Sequence, residues 1–217
     1  GIWAIRKFIK KYMPDVIYMH SSKAGALGRL ADIGFKNIVL YNPHGWAFNM
    51  NNISVIKKKV YALIEKVLAY KTNMIIAISA WEKESAIKYK ICCSDKIHII
   101  PSGVDVCLYD EERGRYDLNR SKLKIPLNAY IIGMVGRISY GKGPDLFIKA
   151  AALIKEKISN AFFVIVGDGE ERASVENLLS EMRLKDYFLI TGWVSNPIEY
   201  IQLFDQAMLL TRWEGFG

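Results

Sequence analysis

Long apolar runs are missing from this 217-residue sequence. No stretch approaches the ~18 consecutive apolar residues that a membrane-spanning helix requires. The first residues also lack the charged start and apolar centre of a secretory signal peptide. Together these absences predict a cytoplasmic protein.

Cysteine is scarce as well. Cys92, Cys93 and Cys107 match no metal-ligand spacing, and their odd number argues against a complete disulfide framework. We interpret all three as reduced thiols, and we predict that the protein binds no metal.

Positive charge is unevenly distributed. Residues 1–118 contain 18 Lys and Arg against 11 Asp and Glu, whereas residues 119–217 contain 12 against 11. The basic stretches favour either an anionic membrane surface as partner, at the inner face of the plasma membrane, or simply a solvated helix face. No nucleic-acid-reading motif accompanies the charge, so nucleic acid is not an expected partner. The stretches are Arg6, Lys7, Lys10 and Lys11 with Trp3, Phe8 and Tyr12, and then Lys57-Lys58-Lys59.

Apolar segments alternate with amphipathic ones, and a composition of 51% hydrophobic and 24% charged residues predicts a globular chain. Short apolar runs are typical of buried parallel strands, and the longer segments between them indicate crossover helices. One helix start has capping-box spacing, Ser79 with Glu82. Strands are expected at 15–20, 38–41, 74–79, 97–100, 130–135, 162–166, 188–191 and 207–210, and helices at the start of the chain and at 23–34, 54–72, 79–90, 144–157, 171–182 and 197–204.

Residues 104–128 interrupt this alternation. They are polar and charged, and Pro126 closes the stretch before the next strand. The sequence therefore predicts an α/β protein with two doubly wound units, residues 1–105 and 129–217, joined by a connection at 106–128.

Short glycine-containing motifs follow the predicted strands. Each is weak alone, and G-D-G lacks the third glycine of the dinucleotide fingerprint. The motifs are Gly136-Arg137, Lys142-Gly143, Gly167-Asp168-Gly169, Gly192-Trp193-Val194 and Glu214-Gly215-Phe216-Gly217. In order and spacing, they resemble the nucleotide-sugar-binding domain of GT-B retaining glycosyltransferases of family 4, the glycosyl transferases group 1.

The first unit resembles the acceptor-side domain of that family. The matching segments are His20-Ser-Ser-Lys-Ala-Gly25, Pro43-His44-Gly45-Trp46 and Pro101-Ser-Gly-Val-Asp105, so the resemblance covers nearly the whole chain. Within the family, these segments are similar to enzymes that build bacterial surface polysaccharides.

The resemblance implies two Rossmann-like domains facing a cleft. It also implies metal-independent, retaining transfer of a hexose from a UDP- or GDP-linked donor to a lipid-linked or growing saccharide. The nucleotide-sugar is then a substrate, and no cofactor is expected. Because the chain starts in a predicted helix and stops within the last motif, we expect both domains to be truncated and the fragment alone to be inactive.

Arg137 and Lys142 are the candidates for stabilising the leaving diphosphate. Both follow strand 130–135 at its carboxyl end, the edge of a parallel sheet where ligands bind. Arginine can grip phosphate oxygens with two donors, and lysine acts as a point charge. The charge that develops on the leaving group requires such partners.

Glu214 precedes a glycine-rich segment at which the family begins a helix. The resemblance implies that Glu214 orients the donor sugar and is the first of two glutamates, the second falling at position 222. It also assigns donor binding to Gly136, Gly167, Asp168, Trp193, Val194, Gly215, Phe216 and Gly217.

His44 follows Pro43 at the carboxyl end of a predicted strand. A neutral imidazole there can bond a sugar hydroxyl or help to stabilise the transition state, and the resemblance places it opposite the donor. His20, Lys23 and Gly25 are candidates on the acceptor side.

Two other functions remain open at this stage. A nucleotide-sugar epimerase would share the two-domain architecture. A catalytically silent binding partner in a polysaccharide assembly complex would keep the fold without turnover.

Overall fold

The computed structural model describes residues 1–107 and 120–215, which form two compact α/β units. The first unit comprises Gly1–Gly103 together with Trp213–Gly217, and the second comprises Val104–Arg212. Residues 108–119 of the predicted connection lie outside the described part of the chain, as do Phe216 and Gly217.

The first unit is a parallel sheet with strand order β1-β2-β3-β4. Its predicted strands are confirmed, and a helix begins at Ile2 as expected. The elements are α1 (Ile2–Tyr12), β1 (Val16–His20), α2 (Ser22–Ala31), β2 (Ile38–Asn42), α3 (Val55–Ala69), β3 (Met74–Ala77), α4 (Ala80–Lys88) and β4 (Ile97–Ile99).

Helix α2 is shorter than the predicted segment 23–34. It ends at Ala31, and the chain then turns through Gly34, which has a φ of +90° that side chains rarely adopt. The turn brings the chain back into β2, so the apolar pattern after Ala31 belongs to a turn and not to a further helical turn.

A buried ionic network joins α2, α3 and β2. Arg29 Nη2 donates to Glu65 Oε2 at 2.7 Å, and the Tyr41 hydroxyl donates to Glu65 Oε1 at 2.9 Å. The Arg29 guanidinium lies 3.8 Å from the centroid of the Tyr41 ring. All three side chains are buried, and burial, followed by the charge of Glu65, raises the pKa of Tyr41 so that it stays protonated.

The second unit is also a parallel sheet, with strand order β7-β6-β5-β8. Strand β6 is buried along its whole length, which explains its continuous run of apolar residues. The elements are β5 (Tyr130–Val135), α5 (Pro144–Lys157), β6 (Ala161–Val166), α6 (Arg172–Glu181), β7 (Phe188–Ile190), α7 (Ile198–Ile201) and β8 (Gln206–Ala207).

The last two elements of this unit are shorter than predicted. Helix α7 stops at Ile201 instead of 204, because the next residues fasten the chain to β5: Phe204 occupies the space over Gly133, and Asp205 Oδ2 accepts a hydrogen bond of 2.7 Å from Ile131 N. Strand β8 covers two residues where 207–210 was predicted. The sequence pattern does not contain these long-range contacts.

The strand order has a functional consequence. The chain passes from β5 outward through β6 and β7, and then returns to the other side of β5 as β8. Ligands of open parallel sheets bind at the carboxyl ends of the strands, where the order reverses in this way. The loop that carries Arg137 and Lys142 leaves β5 at this point.

Within residues 1–107 and 120–215, no helix combines the length and apolarity needed to cross a bilayer.

Replacing Glu65 by alanine should lower the free energy of unfolding by about 3–5 kcal/mol, because Arg29 would remain buried without its counter-charge. Urea unfolding followed by circular dichroism measures the loss. As a control, Glu176→Ala removes one partner of the exposed pair with Arg172, whose atoms lie 2.7 Å apart, and should cost less than about 1 kcal/mol. Equal losses in the two variants would contradict the prediction.

Candidate functional site

A cavity of about 470 Å³ opens at the carboxyl ends of β5 and β6. It brings together residues from three separate loops of the second unit. Five of the predicted donor-binding residues line it: Gly136, Gly167, Asp168, Trp193 and Val194. The lining residues are Val135, Gly136, Arg137, Val166, Gly167, Asp168, Trp193, Val194 and Pro197.

The glycines form the floor between the two strand ends. Gly167 has a φ of +144°, and a Cβ atom added there would lie 2.0 Å from the carbonyl oxygen of Gly136. Gly136 in turn donates its N–H to Val166 O at 3.0 Å. The loops therefore pack main chain against main chain, which leaves peptide groups at the cavity instead of side chains.

Arg137 lies on the rim with its side chain 70% exposed, and its Nε donates to Glu170 Oε2 at 2.9 Å. An exposed ion pair of this kind contributes little to stability. The guanidinium can therefore exchange Glu170 for an anionic ligand at small energetic cost.

Trp193 has an exposed side chain, at 79%, whereas its neighbour Val194 packs against a buried apolar cluster. The resemblance assigned Trp193 to donor binding, although a tryptophan after a strand can equally serve packing. Its exposure at the cavity means that the core of the unit does not need it.

Lys142 ends a single 3₁₀ turn, Tyr140–Lys142, immediately before α5. Arg212 holds this turn through a main-chain bond from its N to Gly141 O and a side-chain bond to Tyr140 O, both 2.8 Å. It also makes a bidentate pair with Asp145 at 2.8 and 2.7 Å. The hydrogen bonds from Arg212 lower the pKa of Asp145, so the pair stays ionised.

The sequence analysis missed Arg212 and Asp145. Their separation of 67 residues hides the pair, and the available signal was only local. Asp145 follows Lys142-Gly143-Pro144, and Arg212 stands two residues before Glu214.

In the first unit, His20 and His44 meet at the carboxyl ends of β1 and β2. His20 Nδ1 and His44 Nε2 are 2.8 Å apart, and the rings are stacked with centroids 5.1 Å apart. One of these nitrogens must donate and the other accept. The sequence analysis treated the two histidines as separate candidates, His44 as a catalytic residue and His20 on the acceptor side, and the structure brings them together as one pair.

Burial and the neighbouring His20 lower the pKa of His44, with burial the larger cause. His44 is therefore neutral over more of the physiological range than an ordinary histidine. A neutral imidazole can accept or donate a hydrogen bond to a sugar hydroxyl.

The turn that carries His44 is anchored on both sides. His44 has a φ of +50°, and its N–H donates to Asn42 Oδ1 at 3.0 Å. The next residue, Gly45, donates its N–H to Glu82 Oε1 at 2.6 Å.

The predicted capping box at Ser79 and Glu82 is correct in its first half and wrong in its second. Ser79 Oγ accepts from Glu82 N at 3.2 Å, as expected of an N-cap. The Glu82 carboxylate does not return to Ser79 but accepts from Gly45 N and, at 2.7 Å, from Ile78 N. The carboxylate is occupied by the N–H groups of the His44 turn and of the end of β3.

Gly25 has a packing role in this structure. An added Cβ would lie 2.3 Å from the Tyr41 ring, so the lack of a side chain is explained by the core without a ligand. Lys23 is exposed in the first turn of α2.

Glu214 and Gly215 belong to the segment that groups with the first unit, and both are half-buried. The carbonyl oxygen of Gly215 accepts a hydrogen bond of 2.7 Å from Ser79 Oγ. Phe216 and Gly217 lie outside the described residues, so their predicted donor contacts stay predictions.

In the part of the chain that the structure describes, no three His, Cys, Asp or Glu side chains are grouped as metal ligands. Metal independence is a property of turnover and stays a prediction.

Two parallel α/β units, the second with a glycine-lined cavity at the carboxyl edge of its sheet, are typical of nucleotide-binding α/β proteins. Comparison with known families narrows this class. The model of Glycosyl transferases group 1 matches residues 116–217, and that of Glycosyltransferase Family 4 matches residues 1–107. The chain belongs to the group 1 glycosyltransferases.

Relatives of known description agree with this assignment. The chain is 33% identical over 216 residues to the Escherichia coli UDP-Gal:alpha-D-GlcNAc-diphosphoundecaprenol alpha-1,3-galactosyltransferase, covering 98% of this chain and 56% of the relative. It is 26% identical to the capsular polysaccharide biosynthesis glycosyltransferase CapM of Staphylococcus aureus, covering 95% and 55%. The chain thus spans just over half the length of these relatives.

The fold is GT-B. Anabaena HepE, solved in complex with UDP and glucose, superposes with a TM-score of 0.81 at 18% identity, covering 97% of this chain and 55% of HepE. At this identity the likeness concerns the fold alone, and it confirms the predicted fold class.

The lowered pKa of His44 can be measured by an NMR titration of the imidazole resonances. We expect a midpoint below the ordinary histidine value, since burial and His20 both oppose the charged form. His20→Asn should raise the midpoint only part of the way, because burial is the larger cause. His98→Asn, at an exposed position of β4, should leave it unchanged. A midpoint at or above the ordinary histidine value would contradict the lowered pKa of His44.

Proposed function

We propose that the protein is a retaining glycosyltransferase that moves a hexose from a nucleotide-sugar to a hydroxyl of a lipid-linked or growing saccharide in bacterial polysaccharide synthesis. The observation that carries this proposal is the glycine-lined cavity beside Arg137, at the switch point of β5, in a chain of the group 1 family. The descriptions of the E. coli and S. aureus relatives support the polysaccharide assignment.

The donor in this proposal is a UDP- or GDP-linked hexose. A UDP-sugar is favoured because the E. coli relative is described as using UDP-Gal and HepE was solved with UDP. Gly136 and Gly167 are half-buried at the cavity and carry no side chain, which suits a diphosphate because small residues let phosphate oxygens approach the main chain closely. Trp193 and Val194 would then lie on the side of the base.

The chemical step breaks the bond between the sugar C1 and the diphosphate oxygen. A new bond forms from C1 to the acceptor hydroxyl oxygen on the same face, and the leaving phosphate takes the hydroxyl proton. Arg137 and Lys142 stabilise the charge that develops on the diphosphate. Glu214 orients the donor sugar, and neutral His44 hydrogen-bonds the reacting sugar. These residue roles, the retaining course and the independence from metal are all part of the proposal.

Arg137→Ala and Lys142→Ala should each lower turnover by the complete protein. Loss of a charge-assisted contact that is made only in the transition state costs about 1.5–3 kcal/mol, roughly ten- to a hundredfold in rate. The assay is initial-rate transfer from UDP-hexoses to a lipid-linked acceptor, with and without EDTA, which should have no effect. Lys157→Ala is the matched control, because Lys157 ends α5 at the opposite edge of the sheet.

Turnover within twofold of wild type in Arg137→Ala or Lys142→Ala would remove that residue from the mechanism, although Lys142 is not among the residues that line the cavity. Loss of turnover in EDTA would contradict the proposed metal independence. Donor binding without transfer, unchanged by His44→Ala and Glu214→Ala, would favour the silent partner. An isomerised sugar from donor alone would favour the epimerase.

We also propose that α1 places the protein at an anionic membrane surface on the cytoplasmic side. Lys7, Lys10 and Lys11 are exposed on this helix, beside Trp3 at 84% exposure and Phe8 at 60%. Exposed lysines next to exposed aromatic rings suit the headgroup region.

Arg6 of the same stretch has a different role. It donates to the carbonyl oxygens of Ala31 and Ile33, at 2.9 and 2.6 Å, and lies over the Phe35 ring. It therefore fixes α1 to the end of α2 and is not counted in the basic face.

Sedimentation with vesicles of neutral and of phosphatidylserine-containing lipid tests the membrane proposal. Each lysine near an anionic surface is worth about 1 kcal/mol, so the triple variant of Lys7, Lys10 and Lys11 to alanine should bind on the order of a hundredfold more weakly. A triple variant at the exposed residues Lys122, Lys124 and Lys185 is the control. Equal binding by both triple variants would identify the α1 face as an ordinary solvated surface.

A further inference from the structure

We infer that the first turn of α4, through Ser79 and Glu82, positions both the His44 turn and the Glu214 segment for the reaction. The inference rests on the proposed function, since it concerns two of the residues to which that function assigns roles. The proposed reaction gives neither Ser79 nor Glu82 a contact with the reacting atoms. Both are positioning residues.

Glu82 is a buried carboxylate whose two oxygens serve two different chain segments. It is 0% exposed. Oε1 accepts from Gly45 N at 2.6 Å, and Oε2 accepts from Ile78 N at 2.7 Å. A charged acceptor makes stronger hydrogen bonds than a neutral one, especially away from water. The peptide after His44 is thus fastened to the end of β3.

A third contact binds the same turn to the main chain of Glu82. Trp46, which is 2% exposed, donates its Nε1 to Glu82 O at 2.9 Å. The two residues that follow His44 are therefore both bonded to residue 82. His44 itself has a left-handed φ of +50°, a conformation that persists for a non-glycine residue only when its surroundings enforce it.

Ser79 links the same turn of α4 to the Glu214 segment. Its Oγ accepts from Glu82 N and donates to Gly215 O at 2.7 Å. A Cβ added to Gly215 would lie 3.1 Å from Gly45 N, so this segment rests directly on the His44 turn. Within the first unit, one helix start therefore contacts both segments.

Burial raises the pKa of Glu82, while the hydrogen bonds from Ile78 and Gly45 act in the opposite direction. A carboxylate that is enclosed and occupied at both oxygens is poorly placed to exchange protons with a substrate. Its geometry suits the holding of main chain, which agrees with a positioning role.

Glu82→Gln tests the inference at almost constant volume. The amide offers one oxygen and one NH₂, so either Gly45 N–H or Ile78 N–H would face a donor. We expect kcat to fall on the order of ten- to a hundredfold, as misplacement of a reacting group does. Ser79→Ala should mainly raise the KM for the donor, because it removes the hydrogen bond to the carbonyl oxygen of Gly215, the residue after Glu214. Ser85→Ala, which removes another hydroxyl of the same helix bonded to Asn49 at 2.9 Å, is the control and should change neither constant.

A double-variant cycle separates positioning from a general loss of stability. If Glu82 acts through His44, Glu82→Gln should have little further effect on kcat in a His44→Ala background, although its effect on unfolding should be the same in both backgrounds. Additive losses in kcat would overturn the inference.

A measurement without turnover keeps the inference testable if the proposed function fails. The His44 imidazole resonances should shift in Glu82→Gln and stay in place in Ser85→Ala. Unchanged His44 resonances in folded Glu82→Gln would overturn the inference. Absence of transfer by the wild-type protein, with those resonances shifted, would count against the proposed function alone.

Discussion

Parallel strand pairing is the constraint on which the rest of this structure depends. It places every strand's carboxyl end at one edge of its sheet, so residues far apart in sequence arrive at the same place. In the second unit, loops after β5, β6 and β7 meet at one cavity. In the first unit, the ends of β1 and β2 bring His20 within 2.8 Å of His44. Both groups of candidate residues are brought together because they follow strands that end at the same edge of a sheet, and not by any single motif.

Charge is used in two different ways around these edges. Arg137 is exposed and so is its partner Glu170, which keeps the guanidinium available to an anionic ligand. Glu82 is enclosed, and its oxygens hold main-chain amides. Arg212 lies between these extremes, since its pair with Asp145 braces the turn that ends at Lys142. The enclosed charge of Glu82 therefore organises loops, whereas the exposed charge of Arg137 is held by no more than a surface ion pair.

The sequence predicted the strands and most helices because each depends on a local apolar pattern. It misjudged where α2 and α7 end, because the turn through Gly34 follows α2, and Asp205, which bonds to distant Ile131, follows α7. It singled out Arg137 and Lys142 because glycine-containing motifs mark them, and their roles stay predictions. It missed Asp145 and Arg212 because no local pattern reveals an ion pair across 67 residues. It saw Glu82 as a helix cap because its true partner, Gly45, is 37 residues away.

By itself, the sequence determined the α/β class, because periodicity is a local property, and its motifs resembled those of the group 1 glycosyltransferases in order and spacing. Tertiary structure alone decided that the histidines form a pair, that Gly25 is needed by the Tyr41 ring, and that Ser79 and Glu82 support the His44 turn. Each of these depends on which groups become neighbours after folding. Hydrogen bonds and close packing act over a few ångströms, and only the folded chain sets those distances.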